Sequence, residues 1–505
     1  MLAGSELQRC RVEPPSEGNE ARRGGETSEP LSSTGEAGEP HPKGPRGGKA
    51  EVGRTELLEG KMPRTLGRET ISTKQQKIAA LAKKEPKLVL TTLSHHVDVS
   101  WLREAYRRTR KSGAVGVDGV TAAQYEVDLE ANLESLLERF KSGGYRAPAV
   151  RRVHIPKEGG GKKTRPIGIP TLEDKVLQRA VAMVLEPVYE QDFLDCSYGF
   201  RPGRSPHQAL DTLWRALMEN RGGFVIDLDI QSFFDSVDRA ELGSFLDQRV
   251  RDGVIRCVIG KWLSAGVMEE EVVWYPDQGT PQGGVISPLL SNIFLHEVLD
   301  RWFHEVVKPR MKGRASMVRF ADDAVLSFEK EEDARRVLAV LPKRFGKFGL
   351  TLHPEKTRLV DFRRLRRDSE VGAGRSFDML GFTHFWGKSR KGYWVVKRKT
   401  AKGRFSRALK RIGRWCRDNR HQRVAEQQVA LNQKLRGHYN YYGVTGNARA
   451  LSRFHRMVER LWRKWLSRRS RKASIPWEAF QRLLRLYPLL PPRVVHSIYR
   501  SAASP

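Results

Sequence analysis

The chain has 505 residues, 39% apolar and 9% aromatic, enough to bury a large core and to divide into several domains. Its formal charge of +32 implies a polyanionic partner, nucleic acid first and an anionic membrane surface second. No apolar run approaches the roughly 20 residues that span a bilayer, the N-terminus lacks an apolar signal core, and Cys10, Cys196, Cys257 and Cys416 are far apart with no CxxC pair, so the composition argues against a membrane span, a secretion signal, a zinc knuckle and a disulfide scaffold.

Residues 1 to about 60 are rich in Gly, Pro, Glu, Ser and Arg and poor in aromatics, the composition of a disordered extension. Met62 is a candidate for the native start, which N-terminal sequencing would decide. Helical patterning begins near Ser72. It leads through Trp101-Leu-Arg-Glu-Ala-Tyr106 to the glycine-punctuated turn Gly113–Thr121. Leu129, Leu133, Leu136 and Leu137 then predict one helix over 122–140. Val150–Pro156 reads as a strand, Glu158–Gly161 as its turn and Thr164–Pro170 as the returning strand. Lys157, Lys162, Lys163 and Arg165 gather there, either as a solvated basic loop or as a clamp for a triphosphate, since glycine lets backbone amides approach phosphate.

Thr171-Leu-Glu-Asp174 has the form of a capping box that opens a helix through Leu185. Ser197-Tyr-Gly-Phe-Arg-Pro-Gly-Arg-Ser205 packs two glycines, two aromatics and two arginines into nine residues, which suits a nucleic-acid contact loop. The next helix starts near Pro206.

Phe224-Val-Ile-Asp-Leu-Asp-Ile230 alternates, with Val225, Asp227 and Asp229 on one face of a strand and the isoleucines and Leu228 on the other. Aspartate is depleted in strands, so two on one face need a reason. A second acidic element follows: Met317–Phe320 and Ala324–Phe328 read as short strands with Ala321-Asp322-Asp323 at their tip. Adjacent carboxylates repel, and they need a cation, a base or full solvation. Phosphoryl transfer uses two Mg²⁺ ions roughly 3.5–4 Å apart held by oxygen ligands, which carboxylates from a strand and a neighbouring hairpin can bridge. Between these elements, Gly279–Asn292 begins as a Gly/Pro loop and becomes an apolar helix to about Trp302. A helix over 331–348, the segment Leu352-His-Pro-Glu-Lys-Thr357 and a strand pair within Phe377–Phe385 come after the hairpin. His353 and His384 read as packing or surface residues.

From Trp386 to Pro505 there are 31 Lys and Arg against four Asp and Glu, so most of the excess charge sits in the last quarter. The cations alternate with Trp394, Trp415, Tyr439, Tyr441, Tyr442, Trp462 and Trp465. This predicts a helical bundle with an aromatic core and a basic, RNA-binding face.

Together these segments resemble the bacterial group II intron-encoded proteins, reverse transcriptases with maturase activity. The resemblance runs in order over roughly residues 100–500. It rests on Gly116-Val-Asp-Gly119, Arg165-Pro-Ile-Gly-Ile-Pro170, Ser197–Ser205, Asp229-Ile-Gln-Ser-Phe-Phe-Asp235, Gly279-Thr-Pro-Gln-Gly-Gly284, Phe320-Ala-Asp-Asp323, Leu352–Lys356, Leu380-Gly-Phe382 and Leu431–Gly443. It implies an α+β right-hand polymerase fold, with fingers and palm over 61–385 and a basic helical thumb and maturase-specific domain over 386–505. By that resemblance Asp229, Asp322 and Asp323 are catalytic and, with Ile230, hold two Mg²⁺ ions, for which Mn²⁺ is a substitute. Lys157 or Lys163 with Arg165 would hold the triphosphate. Phe234 would exclude a ribose 2′-hydroxyl, Gln282 would touch the incoming nucleotide, and Lys356 matches the lysine of the motif after the catalytic hairpin. Relatives often have Tyr where this chain has Phe320, a change that spares the carboxylates. Many also carry a C-terminal endonuclease with paired cysteines. No cysteine follows Cys416, so none is expected here.

The implied activity is RNA-directed DNA polymerisation, combined with binding of the chain's own group II intron RNA, help in its splicing, and mobility by target-primed reverse transcription. The implied partners are intron RNA, an RNA template with a DNA primer, target DNA and deoxynucleoside triphosphates. The expected location is the bacterial cytoplasm, at the nucleoid, without a membrane; homodimerisation is left open. Two other classes compete: a non-catalytic splicing factor on a polymerase fold, and a reverse transcriptase of a defence or diversity-generating system. The three aspartates argue against the first and the maturase-like segment against the second.

Overall fold

The computed structural model describes residues 70–156, 164–269, 272–275, 279, 283–364, 375–389, 391–470 and 474–497. Eleven strands occur among them: β1 (Val150–Pro156), β2 (Thr164–Ile169), β3 (Phe224–Leu228), β4 (Val267–Glu269), β5 (Val272–Trp274), β6 (Ala315–Phe320), β7 (Asp323–Phe328), β8 (Arg358–Asp361), β9 (Phe377–Met379), β10 (Phe382–Lys388) and β11 (Trp394–Thr400). They form three sheets, ordered β2-β1-β4-β5, β6-β7-β3-β8 and β11-β10-β9. This is the mixed helix-and-strand fold expected of polymerase fingers and palm, followed by a helical region.

The β6-β7-β3-β8 sheet is antiparallel throughout and buried on both faces. Alternation along its strands feeds two separate cores. Phe224, Ile226, Leu228, Met317, Leu326 and Phe328 face the large core, together with the helices Leu172–Asp192 and Ser287–Leu295. Val225, Val318, Val325 and Val360 face the other, with the helix Pro206–Glu219 and strand residues Phe377, Met379 and Val396. A sheet covered on both sides holds its strand ends rigidly, and the acidic residues stand at those ends.

Several expected elements appear close to their predicted bounds, and others differ for identifiable reasons. The helix expected over 122–140 is two, Ala122–Val127 and Leu129–Lys141, with Asp128 between them at φ −116°, ψ 42°. At the break the Asn132 amide donates to the Tyr125 carbonyl, 3.1 Å. The helix opened by Thr171 continues to Asp192, past Pro187. Thr171 does cap it, accepting from the Asp174 N–H, but the Asp174 carboxylate turns inward to the Tyr145 hydroxyl and the Trp262 indole N–H instead of closing a capping box. The apolar helix after Gly284 passes into π-helical turns over His296–Asp300 and Trp302–Val307.

The compositional shift at residue 386 falls inside β10. That strand pairs with β11 from Phe382↔Thr400 to Lys388↔Trp394, so Trp394 belongs to a hairpin and not to the helical bundle. His384 on β10 is fully buried and stacks on Phe377, ring centroids 4.9 Å apart, as a packing residue. The helices Lys402–Asp418, Val424–Tyr442, Ala448–Leu466 and Trp477–Leu486 then form a bundle. Its core includes Leu431, Leu435, Tyr439, Phe454, Trp462 and Phe480. Trp462 donates its indole N–H to Gln427 Oε1 at 2.9 Å, the partner that a buried indole requires. Cys196 and Cys416 are buried free thiols and Cys257 is a half-buried one. Among the described residues no helix is long and apolar enough to cross a membrane.

Candidate active site

Strand register brings the acidic residues together. In β3 and β7, Leu228 is opposite Ala324. Asp229 directly follows Leu228 and Asp323 directly precedes Ala324, so both carboxylates leave the same end of the sheet. Asp322 sits in the two-residue turn between β6 and β7, where Phe320 pairs with Asp323. Ala321, the other turn residue, is left-handed at φ 58°, as tight hairpin turns demand and non-glycine residues resist.

The backbone at Asp229 is clamped by the segment Thr351–Thr357. The Asp229 carbonyl accepts from the His353 N–H at 2.8 Å and from the Thr357 hydroxyl at 3.1 Å. Ile230 bridges Leu352, and the Gln231 N–H donates to the Thr351 carbonyl at 2.8 Å. The same segment delivers Lys356, whose ammonium lies 3.0 and 3.1 Å from the two carboxylate oxygens of Asp229.

The surrounding protein and the neighbouring carboxylates act on the acids in one direction. Asp323 keeps a solvent-reachable side chain, yet the protein mass around it, then Asp322, Asp229 and Asp227, push its pKa up to about 6, with Arg404 opposing. Asp322 is raised too, first by burial and also by Asp229, while Arg165 and Arg319 pull the other way. A cluster that resists carrying its full negative charge is one that a hard cation relieves, and an all-oxygen donor set suits Mg²⁺. Among the described residues, however, no group of three or more His, Cys, Asp and Glu is gathered closely enough to hold a metal. The donor chemistry therefore fits a divalent cation, whereas the expected set of Asp229, Ile230, Asp322 and Asp323 is not closed around a point.

The other expected residues are distributed unevenly. Arg165, on β2 opposite Ile155, is within electrostatic reach of Asp322. Phe234 lies in the short helix Phe233–Ser236, half-buried, its ring 5.4 Å from Phe233. Lys157, Lys163 and Gln282 lie outside the described residues. Gly283, beside Gln282, has φ 122°, and a Cβ there would come 2.3 Å from the Gly168 carbonyl oxygen, so Gly283 itself lies against β2.

Sequence reasoning missed Arg319. It sits on β6 and is completely buried. Its guanidinium donates to both Asp300 oxygens (2.8 and 2.5 Å), to Asn292 Oδ1 (2.9 Å), to the Ser197 hydroxyl (2.8 Å) and to the Ala321 carbonyl (3.0 Å). One buried cation thus fixes the turn that carries Asp322. The available signal was an arginine inside the apolar run Met317–Phe320. Asp300→Ala would strand that cation, an arrangement that costs about 3–5 kcal/mol. Chemical denaturation should show a loss of that order, and an unchanged midpoint would mean that water satisfies Arg319.

Residues 155–384 match the family of reverse transcriptases, described as RNA-dependent DNA polymerases. Residues 405–484 match the maturase-specific domain of group II introns. The chain is thus similar to a reverse transcriptase domain over 155–384 and to a group II intron maturase-specific domain over 405–484. The reverse transcriptase domain contains all three aspartates and every described site residue, and the maturase domain coincides with most of the basic bundle. Protein YkfC of Escherichia coli (strain K12) is 40% identical over 242 residues, 46% of this chain and 63% of that protein. The group II intron-encoded protein LtrA of Lactococcus lactis subsp. cremoris is 33% identical over 250 residues, 48% of this chain and 41% of LtrA. An uncharacterized 91 kDa protein in the cob intron of Schizosaccharomyces pombe is 38% identical over 168 residues, a third of this chain and a fifth of that protein. The matched region therefore spans less than two thirds of each of these relatives.

Proposed function

We propose that the chain is an RNA-directed DNA polymerase that also binds its group II intron RNA, assists its splicing and supports mobility by target-primed reverse transcription. The observation that carries the reading is the convergence of Asp229 with Asp322 and Asp323 at one end of a rigid sheet, inside a reverse transcriptase domain. The substrates are deoxynucleoside triphosphates and a DNA primer on an RNA template, with target DNA supplying the primer. The place of action is the bacterial cytoplasm, at the nucleoid.

In this reading Asp229, Asp322, Asp323 and the Ile230 backbone would hold two Mg²⁺ ions, with Mn²⁺ as a substitute. When bound, the ions supply charge stabilisation for in-line attack of the primer 3′-hydroxyl on the incoming nucleotide. The chain's own groups do the rest. Arg319 fixes the Ala321–Asp322 turn and the Thr351–Thr357 segment fixes Asp229. Lys356 neutralises Asp229 at 3.0 Å and keeps the carboxylate oriented while the site is acidic and open. Arg165, with Lys157 or Lys163, takes the triphosphate charge, and Gln282 touches the nucleotide. The primary test is extension of a DNA primer on an RNA template by the purified chain with Mg²⁺. Absence of templated product would overturn the reading.

Phe234 stands four residues after Ile230 on the element that leaves the acidic strand end. The Gly279 backbone packs so tightly there that a Cβ would meet the Phe234 and Asp235 carbonyl oxygens at 2.9 Å. In the family this chain resembles, an aromatic ring at this position would stand against the 2′ side of a bound sugar. Phe234→Ala is therefore expected to raise ribonucleotide incorporation relative to wild type without touching the carboxylates. Unchanged discrimination in single-nucleotide extension would mean that another residue is the gate.

A further inference from the structure

The loop Ser197–Ser205 places one residue where its chemistry is unexplained by packing. Phe200 is 61% exposed, and its backbone is left-handed at φ 59°. A bulky residue resists that conformation, and a turn that needed only the geometry would use glycine, as the same loop does at Gly203, φ 70°. Strain retained at an exposed aromatic points to a role for the ring itself.

The loop is built to hold that ring still. Arg201, next in the chain, is buried at 7% exposure, and it bonds Glu190 at 2.9 Å and the carbonyls of Leu194 and Ser197 at 2.8 and 2.9 Å. The Asn292 amide donates to the Gly199 carbonyl at 2.7 Å. Gly199 itself lies flat on the acidic turn, where a Cβ would come 2.3 Å from the Ala321 nitrogen. Asn292 also accepts from Arg319, so one buried network fixes both the turn and the loop. As a result the Phe200 ring stands 6.5 Å from the Phe320 ring, two residues before Asp322.

We propose that Phe200 is a nucleic-acid contact, an apolar platform for the sugar and base of the nucleotide at the primer terminus. The inference rests on the polymerase reading and deepens it. A 3′-hydroxyl brought to the carboxylates carries its sugar and base to within a few ångströms of Asp322, and the exposed ring is the apolar surface beside them. Such a contact is uncharged and sequence-tolerant, because every base and sugar offers an apolar face. It would hold the primer end in line while Arg165 and the carboxylates deal with charge.

The test compares wild type, Phe200→Gly and Phe200→Tyr in primer extension, with thermal melting measured on the same preparations. Phe200→Gly relieves the left-handed backbone, so its melting temperature should stay level or rise. Its KM for primer–template should nevertheless rise by about 10- to 100-fold, the size of one lost stacking contact. Phe200→Tyr keeps the ring and should remain within about threefold of wild type. Equal KM values for wild type and Phe200→Gly would overturn the proposal while leaving the polymerase reading intact. A KM loss that tracks a falling melting temperature would overturn it in favour of a structural role. Weakened intron RNA binding with normal extension would overturn it in favour of an RNA surface. A wild-type chain that extends no primer would overturn the polymerase reading, and this proposal with it.

Discussion

The double substitution Asp322→Asn, Asp323→Asn is expected to reduce complementary-DNA synthesis to background. Asparagine keeps the size of each side chain and can still accept a hydrogen bond in the turn, so the hairpin should survive. Two of the three carboxylates at that end of the sheet lose their charge. Electrostatic stabilisation of phosphoryl transfer is worth several kcal/mol, and about 1.4 kcal/mol is a factor of ten in rate, so a fall of at least roughly 10³-fold follows. Melting should not fall, because the substitution removes charges that burial disfavours first and that neighbouring carboxylates disfavour as well, Asp229 at Asp322 and both Asp322 and Asp229 at Asp323. Retained synthesis in a folded double variant would place the chemistry elsewhere.

Binding of structured RNA is expected to weaken steeply with salt. The region from Trp386 onward holds 31 Lys and Arg against four Asp and Glu. Much of that charge is carried by the bundle helices, whose apolar sides supply the core, so the cations are left facing outward. Contact with about ten phosphates would give a slope of log affinity against log salt of roughly −7 to −9. A fourfold rise in salt would then cost around four to five orders of magnitude in affinity. A titration with a slope near zero would remove the electrostatic basis of RNA binding.

The parts of the molecule legible in the sequence are those that local pattern decides. Alternation in Phe224–Ile230 and the apolar runs Met317–Phe320 and Ala324–Phe328 locate β3, β6 and β7 within a residue or two, and Val150–Pro156 coincides with β1. The pairing of the Asp229 strand with the Asp322–Asp323 hairpin follows from where the carboxylates stand in the sequence, their catalytic role came from resemblance, and the Leu228↔Ala324 register puts Asp229 and Asp323 at one end of the sheet. What stayed hidden depends on partners far away in the chain. The helix break at Asp128 hangs on the Asn132 amide, and β11 was masked because a count of cations says nothing about the Val396 side of the strand. Arg319 looked like one more basic residue, since its four partner residues include Ser197, Asn292 and Asp300, which no local pattern connects to it. The cost of Phe200 lies in a backbone angle that the letter F does not reveal.

The central claim is that one chain joins a carboxylate-dependent polymerase to a separate RNA-binding function. The measurement that tests it most directly is a paired assay of wild type and the Asp322→Asn, Asp323→Asn variant, each from one purified preparation. One arm is DNA primer extension on an RNA template, and the other is splicing of the intron RNA at near-physiological Mg²⁺. Splicing chemistry in this reading belongs to the RNA, and the protein binds and orders it through surfaces away from the hairpin tip. Wild type should perform in both arms, and the variant should lose extension while still supporting splicing. Loss of both activities in a variant that remains folded and binds the RNA would contradict the account.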